Sequence, residues 1–296
     1  ITPEQLSQPV STLQITPLSA KGSKLTGLLK GTPLVAGASD GCLANLGEGV
    51  KTSKQLVVTM GTSGAVRTTV QKPRVSPSLF CYLLKPGYFV TGGPLNNGAV
   101  AVEWVLRQIL QSNESTGAHI AQAIEKVPPG AGGLLFLPYL FGERAPEWNA
   151  GLKGMFAGLS GNHTQNHLVR AVLEGTLLAV ARVVALLGEH YGQPGQIYVN
   201  GGFTQSPQWV QILADILQQP LALSQQTDSA ARGAVLLGME ATGLPVATQA
   251  ITGQLFKPVP QNAIVYEQLL RLFTQMTTMA SPFLEQLSAI QRNGNV

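Results

Sequence analysis

Leu34-Val-Ala-Gly-Ala-Ser-Asp-Gly-Cys-Leu-Ala-Asn-Leu-Gly47 is the stretch whose reading decides the fold. A short apolar run passes through Gly37-Ala-Ser39 and presents one acid, Asp40, just ahead of a helix of small residues. A carboxylate at the C-terminal end of a strand sits where α/β sheets open toward ligands, and glycines on both sides let another backbone or a substrate come close. Further on, Val57-Val-Thr-Met-Gly-Thr-Ser-Gly-Ala65 repeats the pattern without an acid. It reads as a strand followed by a Gly/Thr/Ser turn of the kind that holds phosphate oxygens. An acid and a phosphate-sized turn on adjacent strand ends point to phosphoryl transfer onto a hydroxyl group.

Composition narrows the class. Of 296 residues, 44% are apolar and 11% charged, with 33 Gly and 19 Pro, which predicts a loop-rich α/β protein with one large domain or two modest ones. The net charge of +4 comes from scattered basic residues, which argues against nucleic-acid binding. Two cysteines, Cys42 and Cys81, are too few for a disulfide framework and read as buried thiols. The longest apolar run, Thr176 to Leu187, is broken by Arg182, and the N-terminus lacks the pattern of a signal peptide. The expectation is a cytoplasmic protein with no membrane segment. Only three aspartates exist, Asp40, Asp215 and Asp228, so any chemistry requiring an Asp has few candidates.

Residues 1–30 read as a connecting arm, starting at Ile1 without an initiator Met. Strand Leu34–Ala36 follows, then hairpins Gln55–Thr59/Ala65–Val70 and Phe80–Leu84/Tyr88–Thr91. Gly92-Gly-Pro-Leu-Asn-Asn-Gly98 reads as a glycine-rich entry to a helix from Ala99 to about Gln111. Gly142-Glu-Arg-Ala-Pro-Glu-Trp-Asn149 is an irregular loop with two acids, an Arg and an exposed-type Trp, a functional signature. Thr164 caps a helix running to about Tyr191, and strand Gln196–Val199 leads into Asn200-Gly-Gly-Phe-Thr-Gln-Ser206. Then come a helix from Pro207 to Leu217, a strand at Pro220–Ser224, a helix opened by Asp228, and a long helix from Ala263 to about Arg292. Hairpins followed by strand–helix alternation predict a mixed sheet with helices packed on it.

Each motif has a plainer reading beside the chemical one. Asp40 is either a general base or the N-cap of the helix that follows. Gly61-Thr-Ser-Gly64 is either a phosphate cradle or an ordinary hairpin turn. The two glycines of Asn200–Ser206, between strand and helix, suit a nucleotide without forming a GxGxxG or a P-loop. His163 and His167 share a helix face, but no third ligand accompanies them, and helix-start roles account for them better.

Taken together, Ala36–Gly47, Met60-Gly-Thr-Ser-Gly64, Leu137-Pro-Tyr-Leu-Phe-Gly-Glu-Arg-Ala-Pro-Glu-Trp-Asn149 and Asn200–Trp209 through Ala214-Asp-Ile-Leu217 resemble the C-terminal half of the FGGY carbohydrate kinases, most of all the gluconate kinase branch. The resemblance covers residues 30 to 245. It implies an actin-like, ribonuclease H-like α/β fold with a mixed sheet flanked by helices, and ATP-dependent phosphorylation of a sugar or sugar acid, with ATP and Mg2+ as cofactors. In that pattern Asp40 matches the catalytic base, and Gly61, Thr62 and Ser63 match the turn contacting the ATP phosphates. Gly201, Gly202 and Ser206 match the adenosine-binding turn. The helix entry at Asn96–Ala99, with Asn97, Gly98 and Ala99, and Glu103 match a region lining the nucleotide. Charge makes Arg144 a candidate for binding an anionic substrate beside Asp40. Ala99 stands where the family more often has Gly.

The family's N-terminal domain opens on an Asp-Ile-Gly-Thr-Thr type strand, and nothing here matches it. The expectation is therefore an ATP-binding half, with residues 31–250 as the nucleotide-binding domain and 251–296 as its helical segment. A sugar-binding N-terminal domain is the expected partner, a homodimer is left open, and activity of the chain alone is not expected. A xylulose-, glycerol- or fuculose-type kinase half and a non-catalytic actin-like nucleotide-binding module are the alternatives.

Overall fold

The computed structural model describes residues 2–226, 228–246 and 253–293. Chain order begins with a small antiparallel ribbon, β1 (Ile15–Pro17) against β2 (Pro33–Val35), with helix α1 (Ala20–Thr26) between them. Ser19 caps α1 by accepting from Gly22 N, and Gly27 ends it in the left-handed conformation. The expected connecting arm thus contains elements of its own. The strand ahead of Asp40 is also corrected: it belongs to this ribbon and not to the main sheet. Leu34 and its neighbours are largely exposed, and their hydrogen-bonding partners lie upstream, at Ile15–Pro17.

Helix α2 (Asp40–Gly47) leads to the antiparallel hairpin of β3 (Gln55–Met60) and β4 (Gly64–Val70), hinged where the glycines predicted. A second hairpin joins β5 (Phe80–Lys85) to β6 (Tyr88–Leu95). Strand β6 runs farther than expected, through Gly92-Gly-Pro-Leu95. The reason is close approach: a Cβ on Gly92 would lie 2.0 Å from Val66 O of β4, so glycine is what allows the two strands to pair there. Helix α3 (Ala99–Trp104) passes into a π-helical turn at Val105–Ile109 instead of continuing as α-helix to Gln111. Helix α4 (Thr116–Lys126) follows, capped by Ser115.

A second small ribbon pairs β7 (Leu135–Leu137) with β8 (Met155–Ala157). The remaining elements are α5 (Gln165–Tyr191), β9 (Gln196–Asn200), α6 (Pro207–Leu217), β10 (Leu221–Leu223), α7 (Ser229–Ala241), β11 (Leu255–Phe256) and α8 (Ala263–Asn293). Thr164 starts α5 in a capping box with His167, whose Nδ1 accepts from Thr164 N at 3.2 Å. That gives His167 its role at the helix start. Pro207 occupies the first turn of α6, where its missing N–H costs nothing, and Asp228 caps α7.

The main sheet has the order β11-β10-β9-β3-β4-β6-β5. Strands β10, β9 and β3 are parallel, while β3, β4, β6 and β5 pair antiparallel in that order, the chain passing over β6 from β4 to the edge strand β5, and β11 returns antiparallel at the far edge. Parallel neighbours require crossovers, supplied by α5 and α6. Antiparallel strands joined to parallel ones through crossover helices are the expected actin-like arrangement.

Helix α5 lies in the core. Its most apolar 18-residue window has a mean hydropathy of 1.9 and is 83% buried inside the protein, against α4, α6, α8 and β7. Within it Arg170 and Glu174 form a buried ion pair at 2.7 Å. Glu174 Oε1 also accepts from Gly130 N and from Tyr266 OH, so one turn of α5 holds both the loop before β7 and the start of α8. Asp215 on α6 is likewise structural: it accepts from Gln211, Val259 N and Asn262. Cys42 is buried, but Cys81 is exposed, because it points outward from the edge strand β5.

On the opposite face α2 and α7 pack backbone to backbone. A Cβ on Gly47 would come within 1.8 Å of Ser229 O, and one on Gly233 within 1.8 Å of Leu43 O.

Candidate active site

Three glycine-bearing segments meet at the C-terminal ends of β3 and β9. In the turn after β3, Gly61 N donates to Ser63 O at 2.9 Å, leaving the Thr62 and Ser63 side chains exposed. The start of α3 folds onto it: Gly98 N donates to Thr62 O at 3.1 Å and Ala99 N to Gly61 O at 2.8 Å. A Cβ on Gly98 would lie 2.6 Å from Gly61 O. From the other side Gly201 approaches with φ +95°, and a Cβ there would lie 2.4 Å from Met60 O. Gly61 and Gly202 face open space, with nothing within 4 Å of a Cβ position. Two glycines that cannot be enlarged, the exposed Thr62 and Ser63 and an open wall make a glycine-lined cradle at these strand ends.

Asp40 is the first residue of α2. Ser39, not Asp40, occupies the N-cap position, and Asp40 Oδ1 accepts from Gly41 N at 2.7 Å. Asp40 thus satisfies a backbone N–H of the first helical turn, which the Ser39 side chain does not, and its exposed carboxylate stands where the helix dipole favours negative charge. Two guanidiniums belong to the same electrostatic neighbourhood, Arg67 of β4 and Arg144 of the 142–149 loop. Burial holds Arg67 below the usual arginine range, with Asp40 pulling the other way and Arg144 adding to the lowering.

Glu48, the C-cap of α2, was not anticipated. It is buried and accepts from Asn200 Nδ2, from Ser224 Oγ at 2.6 Å and from Ser229 Oγ. One carboxylate thereby fastens the Asp40 helix to the ends of β9 and β10 and to the start of α7. Its signal was an isolated acid following a glycine-closed helix.

The 142–149 loop is bracketed onto the β6–α3 junction. Buried Glu143 accepts from Asn96 N at 2.6 Å, Arg144 N at 2.8 Å and Asn97 Nδ2 at 3.1 Å. Burial raises its pKa above the ordinary carboxylate value, and those three donors oppose the rise. Asn97 also donates to Gly142 O at 2.7 Å and accepts from Phe141 N, so its side chain is fully engaged in the protein. Arg144 Nε donates to Asn96 Oδ1 at 2.7 Å and Nη2 to Leu95 O at 3.0 Å. Glu147 pairs with Arg182 of α5, and Trp148 is exposed.

Two candidates have local partners. Glu103, one turn into α3, accepts from Thr116 Oγ1 and faces Arg107 at 3.6 Å. Ser206 caps α6, accepting from Trp209 N at 3.3 Å.

Residues 56–242 match the model of the FGGY family of carbohydrate kinases, C-terminal domain. This chain is an FGGY carbohydrate kinase chain. It is 34% identical to the gluconokinase of Bacillus subtilis (strain 168) across 99% of its own length and 60% of that protein, and 26% identical to the xylulose kinase of the same organism across 90% of its length and 55% of that protein. Among solved structures, the gluconate kinase from Lactobacillus acidophilus superposes with a TM-score of 0.88 at 30% identity, covering 95% of this chain and 58% of that one. Plasmodium falciparum glycerol kinase with ADP shares the fold, with a TM-score of 0.73 at 18% identity, covering 90% of this chain and 55% of that one. The FGGY chain thus spans about three-fifths of the length of the gluconokinases it matches. The cradle and α7 fall inside the matched residues, while α2, with Asp40 and Glu48, lies ahead of them.

Proposed function

We propose that this chain is the ATP-binding half of a kinase that phosphorylates a sugar acid, gluconate in the first instance. The observation that carries the reading is the convergence of the Gly61, Gly98 and Gly201 segments, with an exposed aspartate mounted on a helix tied to the same strand ends by Glu48. The similarity to gluconokinases supports the choice of substrate. Residues 31–250 would make the nucleotide-binding domain, with 251–296 as its helical segment.

The residues fit a nucleotide. Thr62 and Ser63 would hold the terminal phosphates through their backbone amides and hydroxyls, with Gly61 leaving room for them, while Gly98, Ala99, Gly201 and Gly202 would line the path toward the base and ribose. Mg2+ would travel with the ATP phosphates and neutralise their charge. Among the described residues no three His, Cys, Asp or Glu side chains converge.

Asp40 would act as general base, accepting the proton of the attacking hydroxyl as its oxygen bonds to the γ-phosphorus and the bond to the ADP oxygen breaks. Arg144 would meet the acid group of the sugar. A second, sugar-binding domain would close over the cleft, exclude water and align both substrates. The measurement is ADP release with Mg-ATP and a panel of gluconate, xylulose and glycerol. The chain alone is expected to be silent, with gluconate-dependent turnover when the N-terminal residues of the Bacillus subtilis gluconokinase are supplied. Turnover by the chain alone would overturn the half-enzyme reading, and preference for xylulose or glycerol would replace the substrate.

A further inference from the structure

Arg67 has no assigned role, and its surroundings are unusual. Along β4, residues 65, 67 and 69 share one face, and Thr69 on that face bonds to Asn45 of α2 at 2.7 Å. Arg67 therefore lies between the sheet and the helix that carries Asp40. Space for it is made by glycine on two sides. Gly92 is its partner across the ladder, and a Cβ on Gly41 would sit 3.5 Å from Arg67 Nε and 3.7 Å from Nη2.

A guanidinium has five N–H donors. Among the described residues this half-buried one makes a single bond, Nη1 to Thr59 Oγ1, at 3.5 Å, the far edge of hydrogen bonding. No carboxylate lies within 4.0 Å of it among those residues. Its other N–H donors, which have no protein partner among the described residues, are open to an anion arriving from solvent. Arg144 adds a second positive charge close enough to be felt, and among the described residues only its Nε and Nη2 are engaged.

We infer that Arg67 and Arg144 together form the receptor for the carboxylate of an acidic sugar, and that Arg67 selects acids over neutral polyols. This rests on the kinase reading above and adds to it a residue that charge on the loop alone did not reveal. Arg67 lies three residues along β4 from Gly64, roughly 10 Å at strand rise, and its guanidinium turns back toward Thr59, between the Gly61 turn and the start of α2. An extended sugar acid carries its carboxylate several bonds from its terminal hydroxyl. Its two ends can thus reach the guanidiniums and Asp40 on one surface.

The test follows the Nε–Hε resonances of the 15N-labelled chain, titrated with gluconate, with its neutral counterpart glucitol, and with a non-hydrolysable ATP analogue. Weak binding is visible at roughly millimolar affinity. Gluconate should shift the Arg67 and Arg144 resonances while glucitol leaves them in place. Arg67→Met should lower gluconate affinity about tenfold or more without changing that of the ATP analogue, and Arg67→Lys, keeping charge without the fork, should lose part of it. Equal shifts by glucitol overturn the proposal, as does absence of any sugar effect while the ATP analogue binds. Movement of Arg67 by the ATP analogue alone reassigns it to the γ-phosphate. Failure of the ATP analogue to bind at all removes the kinase reading itself.

Discussion

Asn in place of Asp40 keeps a side-chain oxygen for Gly41 N, so the start of α2 survives and only the base is removed. In the assembled enzyme kcat should fall by about 10²–10⁴-fold with nucleotide affinity unchanged, read by steady-state kinetics alongside calorimetry with ATP. At the cradle, Gly98→Ala forces a methyl against Gly61 O and Ser63 O. The turn must move, and nucleotide binding should weaken by about 1–3 kcal/mol in the same calorimetric measurement. Glu143 carries a pH prediction. Its folded pKa is raised, chiefly by burial, so its contribution to stability is complete below the unfolded pKa and is lost as pH rises through the folded one. Denaturant unfolding across pH 4–8 should show the wild type losing stability relative to Glu143→Gln with rising pH, by about 1.4 kcal/mol per unit of separation between the two values. The hairpin turn at Gly61 and the helix beginning at Asp40 were legible because a glycine turn and a lone acid before small residues are local signals. Arg67 and Glu48 were not, since their meaning depends on what the fold places opposite them: Gly41 and Gly92 for one, Asn200, Ser224 and Ser229 for the other.

The α2–α7 seam places a demand on whole elements. Gly233→Ala sets a methyl 1.8 Å from Leu43 O, so α7 must shift away from the helix carrying Asp40. A loss of about 1–3 kcal/mol in thermal or denaturant unfolding is expected, together with reduced turnover, although residue 233 touches no substrate. In α5, Glu174→Ala leaves the Arg170 charge buried and removes the acceptor of Gly130 N and Tyr266 OH. A cost of about 3–5 kcal/mol should appear as a large fall in Tm. Helices announced themselves in the sequence: Thr164 and Pro207 mark the starts of α5 and α6 where the structure has them. Short strands were legible unevenly: β2 and β10 fall where strands were read at Leu34–Ala36 and Pro220–Ser224, but β1 and β8, three residues each, are too brief for any alternation to register, and the glycines of β6 read as loop because the strand they approach is distant in sequence.

At the scale of the molecule, the sheet order brings the ends of β3 and β9 together at the cradle, and the Asp40 helix lies along the face of β4 that carries Arg67. A kinase needs two walls, which is why complementation by the other half of a gluconokinase is the decisive assay. The strand–helix alternation after residue 196 made the mixed sheet legible, but its central helix carries a hazard that no site residue reveals. Helix α5 has the length and composition of a membrane span, and it is shielded by α4, which precedes it, and by α6 and α8, which follow. During synthesis on the ribosome it emerges long before α8 exists to cover it. For that interval the cell is presented with a greasy segment that its insertion and chaperone machinery would be entitled to claim, and the order in which the chain is made, as much as its final contacts, decides whether it reaches the native state.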